Sequence, residues 1–233
     1  MAKTRLEIWK FGGASLADGS AVRHAIDLIR RHRGPLVVVP SALAGVTDEL
    51  LDGARRAAAG DTEAAAQVAA AFLRRHRDLA MELVPPGSAR RKILALLDHQ
   101  AREYREVARA VAALAELSPR ASDTLVSRGE RAASALLAGA LEAAGRRARS
   151  VDAAEIVATD GHHGQASPDL VVTRRQARRL LLPLVGRGTI PVVPGFLGRG
   201  PDGGITTLGR GGTDLTATLL ARALNAERVV LWK

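Results

Sequence analysis

Four short apolar segments, separated by long stretches of helical period, most constrain what this chain can fold into. Residues 36–39 are apolar throughout and 189–193 are apolar after Thr189, and 6–9 and 228–231 are short apolar segments that carry Glu7 and Arg228. A strand with no polar face is buried on both sides, which is the signature of a parallel sheet covered by helices. The intervening spacing predicts helices over 20–33, from about 47, over 173–185 and over 214–225. Residues 62–116 carry two helical stripes broken at Pro85-Pro86-Gly87. Pro119 ends that region, Ser122-Asp123 offers N-cap chemistry for a further helix, and Gly145 suits its C′ position. Strand-like pieces are expected at 149–152 and 156–159, and Pro201-Asp202-Gly203-Gly204 is a strong turn signal. The fold class is α/β: a three-layer sandwich with a mainly parallel central sheet and a helical insertion at about 62–145.

Composition removes several function classes. With 47% hydrophobic residues the chain can build a core, and with only 3% aromatic residues that core must be aliphatic. The absence of cysteine excludes disulfides, thiolate metal sites and a cysteine nucleophile. No run approaches the roughly 18 apolar residues of a membrane span, and the N-terminus has no apolar signal core, so a cytoplasmic protein is expected. The net charge of +10 raises the alternative of a basic nucleic-acid-binding protein. The arginines, however, are scattered in pairs along helices with no aromatic residues interleaved for base stacking, and they read as solvated helix faces. His76, on an apolar stripe, is expected at a packing boundary, and His162 and His163 in a polar loop.

In open parallel sheets ligands bind beyond the carboxyl ends of the strands, so the loops that follow strands are where chemistry is sought. The first is Lys10-Phe11-Gly12-Gly13-Ala14-Ser15. Its glycines let backbone N–H groups approach an anion, and its lysine can neutralise a phosphoryl group in transfer. Taken alone it is equally a tight turn. The second, Ser41 to Asp48, offers hydroxyl and N–H groups at a helix start, or an ordinary capping loop. The third, Thr206 to Asp214, sets Arg210 among glycines, where it has little packing role and can grip a carboxylate. A fourth, Ser127-Arg128-Gly129-Glu130-Arg131, puts a glutamate in a helix rich in Ala and Leu.

These four segments, in this order, resemble the aspartate kinase family of the amino acid kinase superfamily. That family shows Lys-Phe-Gly-Gly after its first strand, Ser-Ala-x-x-Gly-Val-Thr after its second, Ser-x-Gly-Glu at mid-domain and Leu-Gly-Arg-Gly-Gly-(Ser/Thr)-Asp later. All are present here, and Val151-Asp152-Ala153, Thr159-Asp160 and Pro194-Gly195-Phe196-Leu197-Gly198 also resemble family stretches. Pro40 stands where the family has an apolar strand residue.

The resemblance implies ATP-dependent phosphorylation of the L-aspartate side-chain carboxylate to 4-phospho-L-aspartate, the first step toward lysine, threonine and methionine. It implies Lys10 and Asp214 as catalytic residues. Lys10, Gly12, Gly13, Ser15 and Ser41 would meet ATP. Thr47, Glu130, Phe196, Arg210, Thr213 and Asp214 would meet aspartate. Magnesium would be carried by ATP, with no metal ligand from the protein. Aspartate is the implied partner, with no nucleic acid or membrane, and the full-length protein would be a homo-oligomer. Residues 1–233 would form an amino acid kinase catalytic domain that stops before the family's Asp-x-Asp-Gly loop and lacks an ACT regulatory domain. The alternative within the superfamily is a kinase for a different small acid, and a non-catalytic kinase-like remnant is a third reading.

Overall fold

The computed structural model describes residues 6–61 and 63–233. Five strands form one parallel sheet in the order β3-β4-β2-β1-β7. They are β1 (Glu7–Phe11), β2 (Leu36–Pro40), β3 (Ala148–Ser150), β4 (Ile190–Val192) and β7 (Arg228–Trp232). β1 pairs along its length with β2 on one side and β7 on the other, Lys10 lying beside Val39 and Leu231.

The unbroken apolar runs are explained by burial on both faces. Leu36 and Val38 point into one core and Val37 and Val39 into the other. Behind the first face lie α1 (Gly19–Arg31) and α5 (Pro119–Ala143), backed by α2 (Val46–Ala58), α3 (Ala64–Leu83) and α4 (Ser88–Leu114). Behind the second lie α6 (Leu170–Gly186) and α7 (Gly212–Leu224). Within the helical stretch at 62–145, α5 packs directly on β2, β3 and β4, whereas α3 and α4 pack on α5 and α2. Leu125 to Leu141 is buried almost all round, because its many Ala, Gly and Ser residues let neighbours approach closely from every side.

Three local expectations need correction. Pro119 does not end the helical region; it is the first residue of α5, where its missing N–H costs nothing, and Ser118 is the N-cap, accepting from the Ala121 amide at 3.2 Å. Ser122 and Asp123 are inside the helix. Residues 156–159 form no strand of the main sheet; Ala153–Glu155 is a 3₁₀ turn, followed by single bridges from Ala158 to Arg199 and Thr159 to Pro168. The glycine-rich stretch after β4 holds an antiparallel hairpin, β5 (Leu197–Arg199) and β6 (Ile205–Thr207), whose turn is the predicted Pro-Asp-Gly-Gly. Gly145 does close α5 as a left-handed C′ residue (φ 81°).

His76 is not at a boundary. It is fully enclosed, its Nδ1 lies 2.8 Å from the Phe72 carbonyl, and burial pushes its pKa down to about 4, so it is a neutral core residue. Nor are all the arginines solvated faces. Arg146 donates to the carbonyls of Ile29, Arg30 and His32 (3.1, 3.0 and 2.8 Å), adding to the His32 amide's own bond to Ile29 in closing the end of α1.

Candidate active site

Hydrogen bonding of the sheet continues past the strand ends and lays three loops side by side. The Ser41 amide donates to the Phe11 carbonyl (2.9 Å), and the Gly195 amide to the Pro40 carbonyl (3.0 Å). Pro40 therefore does not displace Ser41: it ends β2 and still supplies its carbonyl. Above these ends lies a cavity of about 340 Å³, walled by the loop after β1, the loop after β2, α5, the loop after β4 and the start of α7.

Two helices open onto this cavity. α2 follows Gly45 (φ 80°) and α7 follows Gly211 (φ 77°), and neither helix has a side chain capping its first amides. A left-handed turn that only glycine adopts cheaply aims each helix start at the cavity. The first amide of each helix donates back to its own turn, Val46 to Leu43 and Gly212 to Gly209, while the amides that follow and the positive end of each helix dipole face the same space, which favours anions.

The charged side chains are arranged around that space. Lys10, at the carboxyl end of β1 and 8% exposed, forms a 2.7 Å ion pair with Asp214 in the first turn of α7. Ser41 Oγ donates to Thr213 Oγ1 at 3.1 Å, joining the β2 loop to α7. Glu130 projects from α5 and is 3% exposed; its Oε1 accepts from Thr47 Oγ1 at 3.4 Å and its Oε2 has no partner among the described residues. Burial pushes its pKa up to about 7. Arg210, in the exposed turn before α7, makes no ion pair among the described residues, and Phe196 adds an apolar wall. Phe196 sits in the left-handed region (φ 72°), held by its amide donating to Thr216 Oγ1 (2.9 Å) and its carbonyl accepting from the Leu208 amide (2.9 Å).

Nine of the eleven residues singled out from the sequence thus line one cavity: Lys10, Gly13, Ser41, Thr47, Glu130, Phe196, Arg210, Thr213 and Asp214. The other two do not. The Gly12 amide is taken by the Trp232 carbonyl at 2.9 Å, and Ser15 faces a separate hollow against α1 and Trp232.

Sequence reasoning also passed over a supporting cluster. Asp123, buried in α5, accepts from Thr207 Oγ1 (2.6 Å), the Gly164 amide (2.9 Å) and the His163 ring (3.0 Å Nδ1 to Oδ2). It ties the 160s loop and the hairpin to α5, beside the turn that carries Arg210. His163 is a loop residue, as expected, but an anchored one. The one available signal was an aspartate on the apolar side of a helix.

A doubly covered parallel sheet with a lysine, an arginine and two bare helix starts around one cleft defines an α/β protein built to bind a small anionic substrate at its strand ends. The chain belongs to the amino acid kinase family, which its residues 5–233 match. It is 34% identical to lysine-sensitive aspartokinase 3 of Escherichia coli, over 98% of this chain and 49% of that protein. To the chloroplastic aspartokinase 1 of Arabidopsis thaliana it is 32% identical, over 97% and 39%. The crystal structure of E. coli aspartokinase III in complex with aspartate and ADP superposes with a TM-score of 0.86 at 32% identity, covering 97% of this chain and 48% of that one. The chain therefore has an amino acid kinase fold and spans about half, or less, of the length of these relatives. Among the described residues no helix is long and apolar enough to cross a membrane.

Proposed function

We propose that residues 1–233 form a catalytic domain that binds L-aspartate and transfers the γ-phosphoryl group of ATP to its side-chain carboxylate, in the cytoplasm. One observation carries the reading: a single cavity holds a buried carboxylate, Glu130, and an arginine with no ion-pair partner among the described residues, Arg210, together with Lys10. Aspartate brings one ammonium and two carboxylates. Glu130, aided by Asp214, takes the ammonium; Arg210 grips the α-carboxylate; the side-chain carboxylate is left free to react.

The reaction needs no general base, because a carboxylate is already ionised near neutrality. Its oxygen forms the new bond to the γ-phosphorus as the bond to the ADP oxygen breaks, giving an acyl phosphate and ADP with no proton moved. Catalysis then rests on positioning and on neutralising phosphoryl charge. Lys10 supplies that charge from the end of β1, and the free amides of α2 and α7 add to it. Gly13 and Ser41 border the phosphate side, and Thr47, Phe196 and Thr213 the aspartate side. Gly12 shapes the turn with its own amide already engaged.

Among the described residues no cluster of three or more His, Asp or Glu side chains is placed to hold a metal. Magnesium is proposed to arrive on the triphosphate, where it would offset phosphate charge.

Hydroxylamine trapping tests the proposal. With ATP, magnesium and aspartate, hydroxamate is expected, and Arg210→Ala should raise the KM for aspartate at least tenfold, on the order of the 1.5–3 kcal/mol of a charged hydrogen bond. Hydroxamate with a different acid and none with aspartate would overturn the substrate assignment.

A further inference from the structure

The sequence pattern placed no site residue in α3, yet one of its side chains reaches the proposed site's framework. Arg75 donates from Nη1 to the Ala44 carbonyl at 2.8 Å and from Nη2 to the Ala17 carbonyl at 3.1 Å, with Glu49 Oε1 at 3.7 Å. Ala44 lies in the loop after β2, one residue before the left-handed Gly45 that starts α2. Ala17 closes the 3₁₀ turn that follows Gly13. One guanidinium therefore clamps the two loops expected to border ATP.

The roots of these loops are tied by the Ser41 amide to the Phe11 carbonyl and by burial of Leu16 and Leu43; Arg75 holds them farther out, at Ala17 and Ala44. The start of α2 has no side-chain cap, and the 3₁₀ turn has none either. They come closest at Gly13, where an added Cβ would lie 3.4 Å from Ala44 Cα and 3.5 Å from the Ala42 carbonyl oxygen. A planar fork is suited to this task, since it holds two acceptors at a set separation; an ammonium is a single point charge.

We propose that Arg75 is a positioning residue for nucleotide binding: it touches no substrate, and it sets the gap between the Gly13 turn and the Ser41 loop from the helical layer behind them. The proposal rests on the functional reading above for its kinetic consequence, and on the two carbonyl contacts alone for its structural one. A loop displaced by about 1 Å can cost up to two orders of magnitude in rate.

Two readouts on the same variants keep the two apart. In steady-state acyl-phosphate formation, Arg75→Met should raise the KM for ATP about tenfold and leave the KM for aspartate within about twofold. Arg75→Lys should recover part of the loss, because one carbonyl can still be held. Arg74→Met removes the same charge from the exposed neighbour and should match the unaltered protein. In hydrogen exchange, Arg75→Met should speed exchange of amides in 13–17 and 43–47 at least tenfold, while amides of β1 and β2 stay protected; Arg75→Lys serves where Arg75→Met does not fold. Unchanged exchange in both loops overturns the proposal, whether or not the chain turns over aspartate. Faster exchange with an unchanged KM for ATP also overturns it, since the gap would then not matter to the nucleotide. If no hydroxamate forms in the unaltered protein, the substrate assignment falls and the exchange result decides the clamp.

Discussion

Glu130 is enclosed with no cation beside it among the described residues, and a carboxylate held there by hydrogen bonding alone is costly. On the proposed function the aspartate ammonium would relieve that cost, and the residue would be held at the expense of stability for the sake of binding. Protonation near pH 7 would remove the charge proposed to pair with the ammonium. The KM for aspartate should therefore rise as pH falls below about 7, visible in initial rates between pH 6 and 8. Glu130→Gln should raise that KM at least tenfold at pH 8 and leave the KM for ATP within about twofold, while raising the unfolding temperature, because an unpaired buried charge is gone. Loss of affinity together with lower stability would mean that Glu130 is structural.

α5 shows how a helix as a whole is fitted to the site. Its residue before Glu130 is Gly129, where an added Cβ would lie 2.9 Å from Ala42 Cβ and 3.1 Å from Val46 Cγ1. The glycine lets α5 lie against the β2 loop and the first residue of α2, which brings Glu130 within reach of Thr47. A larger side chain has no room, and overpacking a close helix contact costs about 1–3 kcal/mol. Gly129→Val should lower stability by that amount in urea unfolding and weaken aspartate binding at the same time, since the wedge sits between Glu130 and the loop it serves. At an exposed helix position the same change would be close to neutral, because valine has the better helix propensity.

At the scale of the whole molecule, two enclosed groups oppose each other in pH dependence. The Glu130 pKa is raised from 4.5 to about 7, so the folded chain binds a proton more tightly than the unfolded one, and stability falls as pH rises through that window. The His76 pKa is lowered from 6.5 to about 4, so the unfolded chain takes up a proton that the folded chain refuses, and stability falls as pH drops from 6.5 toward 4. Between 4.5 and 6.5 the two slopes have opposite sign, and each amounts to at most about 1.4 kcal/mol per pH unit. Relative to the unaltered protein, Glu130→Gln should therefore become more acid-sensitive across that range. His76→Leu should become more stable on acidification, and the double variant should track the unaltered slope. Urea unfolding at pH 5, 6 and 7 measures all three; parallel curves would refute the pairing.

Much of this architecture was legible in the chain itself. The unalternating runs at 36–39 and 189–193 required cover on both faces, and the glycine-bearing loops after strands located the site, because both signals are local and repeat in a fixed period. Nine of the eleven site candidates share one cavity for the same reason: strand ends are where such loops must meet. What tertiary structure alone decided is which groups face one another. Lys10 and Asp214 are about two hundred residues apart in sequence and 2.7 Å apart in space; Arg75 reaches two loops from another helix; the Gly12 amide is spent on Trp232. Helical period tells which side of a helix is apolar, but not what lies against it. Whether an arginine is solvated, as the pairs seemed to be, or closes a helix end, as Arg146 does, depends on carbonyls more than a hundred residues away in sequence.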